Sequence, residues 1–215
     1  GRYPEARRLR FHKTLRAVSH FNISHIPGTT FTVHNPHGET FERPAIIVCN
    51  HQSQLDLMAV LSLTPKVVIL TKKWVWNNPL YSLILRAAEF YPISEGYEQS
   101  QPHLESLIRR GYSIIVFPEG TRSKDREIHR FHQGAFHLAK AYGLDILPIF
   151  LVGLGDVLPK DELVFRRGKM HLEIGQRFAT NDTAWGTTPR ETTRLVHQLF
   201  VRHYAELRQK FCTVE

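Results

Sequence analysis

The sequence predicts an α/β protein with a largely parallel central sheet flanked by helices on both faces. Three observations carry that expectation. Short continuous apolar runs at 45–49, 67–70, 113–117 and 146–152 have the length and composition of strands buried on both sides. Segments of helical periodicity separate them, the order expected of β–α–β units. A chain of 215 residues, 42% hydrophobic and 22% charged, is enough for one sizeable core and unlike a disordered polymer.

Taken in order, residues 1–26 form a first sub-region and 27–215 the main domain. Between Gly1 and His20 stand Arg2, Arg7, Arg8, Arg10, Lys13 and Arg16 against a single acid, Glu5. Leu9, Phe11, Leu15, Val18 and Phe21 supply an imperfect apolar stripe. A basic amphipathic segment of this kind either lies on an anionic bilayer or packs on the core with a solvated basic face, and charge alone does not choose. Thr29–His34 alternates like an edge strand, and Asn35-Pro36-His37-Gly38 is a turn. The apolar run Ala45–Cys49 is followed by a helix that ends near Thr64-Pro65, and 67–70 is the next strand.

Residues 74–86 are apolar and helical, with Pro79 at a plausible first turn, and 90–93 is strand-like. Trp74, Trp76 and Tyr81 suit either a core or an aromatic belt at a bilayer interface. A helix over 99–110 is closed by Gly111, and 113–117 is a buried strand. Residues 132–142 form a helix stopped by Gly143, followed by the strand at 146–152 and the alternating run 169–174. Thr188-Pro189-Arg190-Glu191 is a capping box. It opens a last helix with Leu195, Val196, Leu199, Phe200, Tyr204, Leu207 and Phe211 at core-facing spacing.

The net charge of +8 favours an anionic partner: a membrane surface, a nucleic acid or a phosphate-bearing thioester. No zinc-finger, RNP or helix-turn-helix pattern supports nucleic acid. Cys49 and Cys212 do not make a disulfide framework and read as plain thiols of a reducing compartment. No stretch approaches the roughly 20 apolar residues of a membrane span, and no secretory pattern is present. The chain starts at Gly1 rather than at methionine, which leaves room for segments upstream.

Chemistry concentrates at two strand-to-loop junctions. In Asn50-His51-Gln52-Ser53-Gln54-Leu55-Asp56 a histidine stands where a strand ends, with a carboxylate one turn into the next helix. Asp56 can fix the tautomer of His51 and leave its other nitrogen to take a proton, a general-base dyad without a protein nucleophile. Chance alone gives this spacing about 0.4 times in such a composition, so it needs company. The second junction, Phe117-Pro118-Glu119-Gly120-Thr121-Arg122-Ser123, supplies it. There Gly120 lets backbone approach a ligand, and Arg122 is a planar donor for phosphate or carboxylate. The plainer reading is a surface turn in which Glu119 and Arg122 form an ion pair.

Together, N-H-x-x-x-x-D and F-P-E-G-T-R-S in this order resemble the signatures of the glycerolipid acyltransferases, the family of the glycerol-3-phosphate and lysophosphatidic acid acyltransferases. The resemblance spans roughly residues 40–180. It implies His51 as catalytic base, Asp56 as its orienting partner, and Glu119, Gly120, Thr121 and Arg122 as acceptor-binding residues. Ile146-Leu147-Pro148-Ile149 resembles the family's last block. The backbone N–H groups opening the helix after His51 are candidates for holding the oxyanion.

One block departs from the family. Where its pattern resembles L-R-A-L-G-A-I-P-V-D-R-G, this chain has Leu85-Arg86-Ala87-Ala88-Glu89-Phe90-Tyr91-Pro92-Ile93-Ser94-Glu95-Gly96. Glu95 stands where the family has the arginine credited with gripping the acceptor's phosphate, and carboxylate against phosphate is repulsive in a desolvated site. The expectation is therefore an acceptor without phosphate, such as the hydroxyl of a lyso-aminolipid. The alternative is 1-acyl-glycerol-3-phosphate, its phosphate held by Arg122 with Lys72 or Lys73.

The expected reaction moves a fatty acyl group from an acyl-carrier-protein or coenzyme A thioester to a lysolipid, with those thioesters as co-substrates and no cofactor. The protein is expected at the cytoplasmic side of a membrane, peripherally bound to its anionic surface, without nucleic acid. Rival classes are a basic nucleic-acid-binding module and a membrane adaptor without catalysis. His129, His132 and His137 lack H-E-x-x-H spacing and a cysteine cluster, so no metal is expected. The absence of a Gly-rich phosphate loop and of a G-x-S-x-G elbow argues against a nucleotide hydrolase or a serine esterase.

Overall fold

The computed structural model describes residues 4–71, 91–92 and 97–212. Its strands are β1 (Thr29–His34), β2 (Ala45–Cys49), β3 (Val67–Thr71), β4 (Tyr91–Pro92), β5 (Ser113–Val116), β6 (Asp145–Val152) and β7 (Gly168–Ile174). They form a seven-stranded sheet in the order β1-β7-β6-β2-β5-β3-β4. Neighbours pair parallel except β6 with β7, so β1 and β7 run against the other five. β2 lies in the middle with all five residues buried, as expected of a strand covered on both faces.

Among the described residues the helices are α1 (Glu5–Ser24), α2 (Leu55–Leu61), α3 (Tyr97–Arg109), α4 (Gly134–Tyr142), the single turn α5 (Leu154–Val157) and α6 (Pro189–Cys212). α1 packs on α2, whereas α6 runs along β6 and also packs on α4. The α6 contact is aromatic: Phe200 is fully buried, its ring 4.5 Å from that of Phe150 and 5.2 Å from that of Phe131. Rings at such spacings add to the area they bury. The capping box forms as read, with Glu191 donating its N–H to Thr188 Oγ1 at 3.2 Å and Thr188 returning one to Glu191 Oε2 at 3.1 Å. Donation from the Thr187 N–H and hydroxyl, and then from the Thr188 N–H, holds the Glu191 carboxyl down to about 2.

α1 differs from the expected amphipathic segment. The buried positions are His12, Ser19 and Ile23, while Leu9, Phe11 and Leu15 are only half-buried and Val18 and Phe21 are exposed. The helix is anchored by polar contacts at both ends of its docked face. Arg110 donates to Glu5 at 2.6 Å, and Arg16 donates to the carbonyl of Ser62 at 3.2 Å. The helix expected at 74–86, with Trp74, Trp76 and Tyr81, lies outside the described residues. Of the described helices, none is long and apolar enough to cross a membrane.

Candidate active site

Because β2 and β5 are adjacent and parallel, the two signature junctions emerge side by side at the carboxyl edge of the sheet, where open α/β sheets hold ligands. Asn50 fixes the first junction. Its amide donates to the carbonyl of Leu151 at 2.8 Å and accepts that residue's N–H at 2.9 Å, which extends the β2–β6 ladder by a side chain. The next residue, His51, then leaves the sheet. Its Nδ1 donates to Asp56 Oδ2 at 2.9 Å, so the tautomer is set with Nε2 bare. Among the described residues Nε2 has no hydrogen-bond partner, and the ring stacks on Phe117 with centroids 4.2 Å apart.

Asp56 is fully buried, and its Oδ2 also accepts the N–H groups of Gln52 at 2.6 Å and Ser53 at 2.7 Å. Of the expected oxyanion donors after His51, the N–H groups of Gln52 and Ser53 are thus taken by Asp56, and that of Leu55 by Ser53 Oγ at 3.2 Å. α2 itself is only seven residues long. Its opening orients the dyad instead.

The turn after β5 is tied to His51 by backbone. Glu119 Oε1 accepts the His51 N–H at 2.9 Å and Oε2 accepts that of His129 at 3.0 Å, while Ser123 donates to the His51 carbonyl at 2.8 Å. Glu119 is therefore buried and engaged on both oxygens, not a surface partner of Arg122. Burial pushes its carboxyl above the usual range despite those two donors. Gly120 has φ +68°, and a Cβ there would meet the His132 ring at 3.3 Å, so the turn itself requires glycine. Thr121 is exposed and Arg122 half-exposed. Lys160 donates to the Arg122 carbonyl at 2.6 Å and to Thr121 Oγ1 at 3.3 Å, which brings a second cation to the turn. The Arg122 guanidinium makes no hydrogen bond among the described residues.

Beside the Phe117 ring lies an apolar cavity of 580 Å³, bounded by Leu104, Val116, Phe117, Gly120, Ala135 and Leu138. From the other face, Tyr204 of α6 donates to Gln52 Oε1 at 2.8 Å, and Ser53 Oγ donates to the Leu158 carbonyl at 2.7 Å. Cys49 is fully buried, and burial raises its thiol well above the ordinary value, so no thiolate nucleophile stands beside the dyad.

A family model described as Acyltransferase matches residues 30–152, more than half of the chain and both junctions. The chain belongs to the Acyltransferase family. Its similar relatives include a chloroplastic 1-acyl-sn-glycerol-3-phosphate acyltransferase of Arabidopsis thaliana, 34% identical over 138 residues, which cover 62% of this chain and 39% of that one. A chloroplastic 1-acyl-sn-glycerol-3-phosphate acyltransferase of Brassica napus is 33% identical over 122 residues, 55% of this chain and 36% of the relative. The chain thus spans less than half the length of these relatives. In fold it matches the crystal structure of the 1-acyl-sn-glycerophosphate (LPA) acyltransferase PlsC of Thermotoga maritima, with a TM-score of 0.80 and 23% identity over 97% of this chain and 84% of that one.

In this Acyltransferase-family chain the structure brings together His51, Asp56, Glu119, Gly120, Thr121 and Arg122. Lys72 and Glu95, and with them most of the departing block, lie outside the described residues. Sequence reasoning missed Asn50, Lys160, Gln52 and Tyr204. Asn50 sits inside the signature and was open to question there; the other contacts depend on which strands are neighbours. Of the histidines considered for a metal, His129 pairs with Asp125 at 2.7 Å and His132 lines the cavity.

Proposed function

We propose that this protein is an O-acyltransferase that moves a fatty acyl group from an acyl-CoA or acyl-ACP thioester to the hydroxyl of a lysolipid at a membrane surface. The observation that carries the reading is the His51–Asp56 dyad, with Nε2 bare and its backbone tied to the Glu119–Ser123 turn that carries Arg122. Nε2 removes the proton of the acceptor hydroxyl as its oxygen attacks the thioester carbonyl. The Asp56 carboxylate stabilises the imidazolium that results. Collapse of the tetrahedral adduct breaks the C–S bond, and His51 returns its proton to the leaving thiolate. No covalent enzyme intermediate is required, in keeping with the unreactive Cys49.

For the acceptor, the names of the relatives favour 1-acyl-sn-glycerol-3-phosphate over the lyso-aminolipid suggested by Glu95. The uncommitted guanidinium of Arg122 beside Lys160 supports that reading, since it offers a fork for a phosphate. The acyl chain belongs in the 580 Å³ cavity, which is mainly apolar and shares Phe117, the ring stacked on His51. Peripheral attachment to the cytoplasmic side of a membrane is supported by the basic residues of α1. A second support is the loop tip Leu163-Val164-Phe165, exposed and followed by Arg166 and Arg167.

Label transfer from acyl-CoA and from acyl-ACP on mixed vesicles, with 1-acyl-glycerol-3-phosphate and a lyso-aminolipid offered separately, tests this. Turnover should favour the phosphate acceptor, and His51→Ala should lower it by about 10²–10⁴-fold while vesicle binding and thermal unfolding persist. Undiminished turnover in that variant would falsify the general-base assignment. Turnover of the aminolipid alone would overturn the acceptor.

A further inference from the structure

A second set of titratable groups gathers where β1 and β7 meet α6. The parallel register pairs Thr32 with His171 and His34 with Glu173. Alternation along a strand then points all four side chains to one face. It is the α6 face, because His203 of α6 reaches Glu173 Oε1 at 2.5 Å. His34 Nδ1 lies 2.9 Å from Glu173 Oε2.

His171 is the informative member. It is 5% exposed, and its ring is sandwiched against Phe211 with centroids 3.8 Å apart. Thr32 Oγ1 lies 2.9 Å from His171 Nδ1 and 3.4 Å from the Met170 carbonyl. With the hydroxyl donating to that carbonyl, it accepts from Nδ1, and Nε2 is left with a lone pair that a metal can take. This buried nitrogen has no hydrogen-bond partner. It faces Glu173 Oε2 at 3.9 Å, beyond hydrogen-bond reach, a gap that a bound cation would bridge.

We propose that His34 Nδ1, His171 Nε2 and Glu173 Oε2 form a divalent-metal site that ties β1 to β7 beneath α6, whose His203 bonds Glu173. These ligand atoms all lie within 4.8 Å of one another. Tetrahedral ligands at about 2.0–2.2 Å from zinc stand about 3.3 Å apart, inside the spread of 2.9 and 3.9 Å seen here. Two imidazoles and one carboxylate are a borderline-soft set that suits zinc over magnesium or calcium. Thr32 on His171 and His203 on Glu173 supply the outer partners that orient such ligands. Water takes the fourth position, reached from the exposed His34 side. The site is structural rather than catalytic, and it steadies the part of α6 whose Tyr204 holds Gln52.

The untagged full chain, stripped with chelator, would be titrated with Zn²⁺ alone and with Co²⁺ alone, and melted with and without Zn²⁺. One Zn²⁺ per chain, a raised Tm and the intense visible bands of tetrahedral Co²⁺ are expected. His34→Gln, on an exposed edge strand, should weaken affinity about tenfold or more, as should His171→Gln, while His20→Gln on α1 leaves it unchanged. If His171→Gln fails to fold, His34→Gln decides. No stoichiometric binding, a weak octahedral Co²⁺ spectrum, or wild-type affinity in His34→Gln would each overturn the site.

Discussion

A carboxylate engaged by backbone on both oxygens holds the His51 loop in place. Glu119 ties the loop after β5 to the loop after β2 by accepting one N–H on each oxygen. A glutamine has only one acceptor oxygen, so Glu119→Gln must turn an NH₂ group against the backbone N–H of His51 or His129. Leaving such a buried donor unmet costs about 1–3 kcal/mol, and it should also displace His51 from its partner. The expected result is a lower Tm together with a fall in kcat that exceeds any rise in KM, whereas a residue that only gripped acceptor would raise KM alone. This role was invisible in the sequence. The spacing of His51 and Asp56 was legible because both partners lie within one loop and one helical turn. The partners of Glu119 become evident only once β2 and β5 are known to be neighbours. The same holds for the N–H groups of Gln52 and Ser53, whose engagement by Asp56 no sequence spacing announces.

Elements were read well where a single segment decides its own state. The buried runs gave β2, β3, β5 and β6 nearly residue for residue, and Gly143 stops α4 with Leu144 donating back to Ala139 at 2.9 Å. What local pattern does not encode is order and direction: β6 beside β2, and β7 reversed against β6. Local pattern also left the placement of α1 open, since its docked face is set by α2 and by Glu5–Arg110 together with Phe11, Leu15 and Ile23. Reversal of β7 depends on the end of β6, where Gly153 has φ +82° and a Cβ would come within 2.0 Å of the Lys169 carbonyl oxygen. That neighbour is sheet backbone and cannot yield as a side-chain tip does. Gly153→Ala should therefore destabilise by at least about 3 kcal/mol, from clash and left-handed strain together. Chemical denaturation would show it, and a change within 0.5 kcal/mol would mean that β7 is held elsewhere.

At the scale of the whole molecule, 28 basic residues against 20 acidic ones leave the chain dependent on the carboxylates that it does pair. The strongest such junction ties the segment before β2 to the start of β6. Arg177 donates to both oxygens of Glu39, at 2.8 and 2.9 Å, and reaches Asp145 at 3.4 Å, as well as the carbonyl of Arg43 at 3.1 Å. Burial raises the Glu39 carboxyl, but the Arg177 fork and the Phe41 N–H outweigh it, so the net position is below the ordinary value. A depressed carboxylate binds fewer protons in the folded state than in the unfolded one. Its stabilisation is therefore complete above the unfolded pKa and fades as pH falls through the folded one. Arg177→Met should cost about 2 kcal/mol at pH 7, the effect of breaking a half-buried pair and leaving Glu39 uncompensated. The gap to wild type should narrow as pH drops from about 5 towards 3, because protonated Glu39 no longer needs the arginine. Urea unfolding followed by tryptophan fluorescence at each pH would measure that gap. A gap of constant size would show that Arg177 acts through packing and its bonds to carbonyls, with no share from the Glu39 charge.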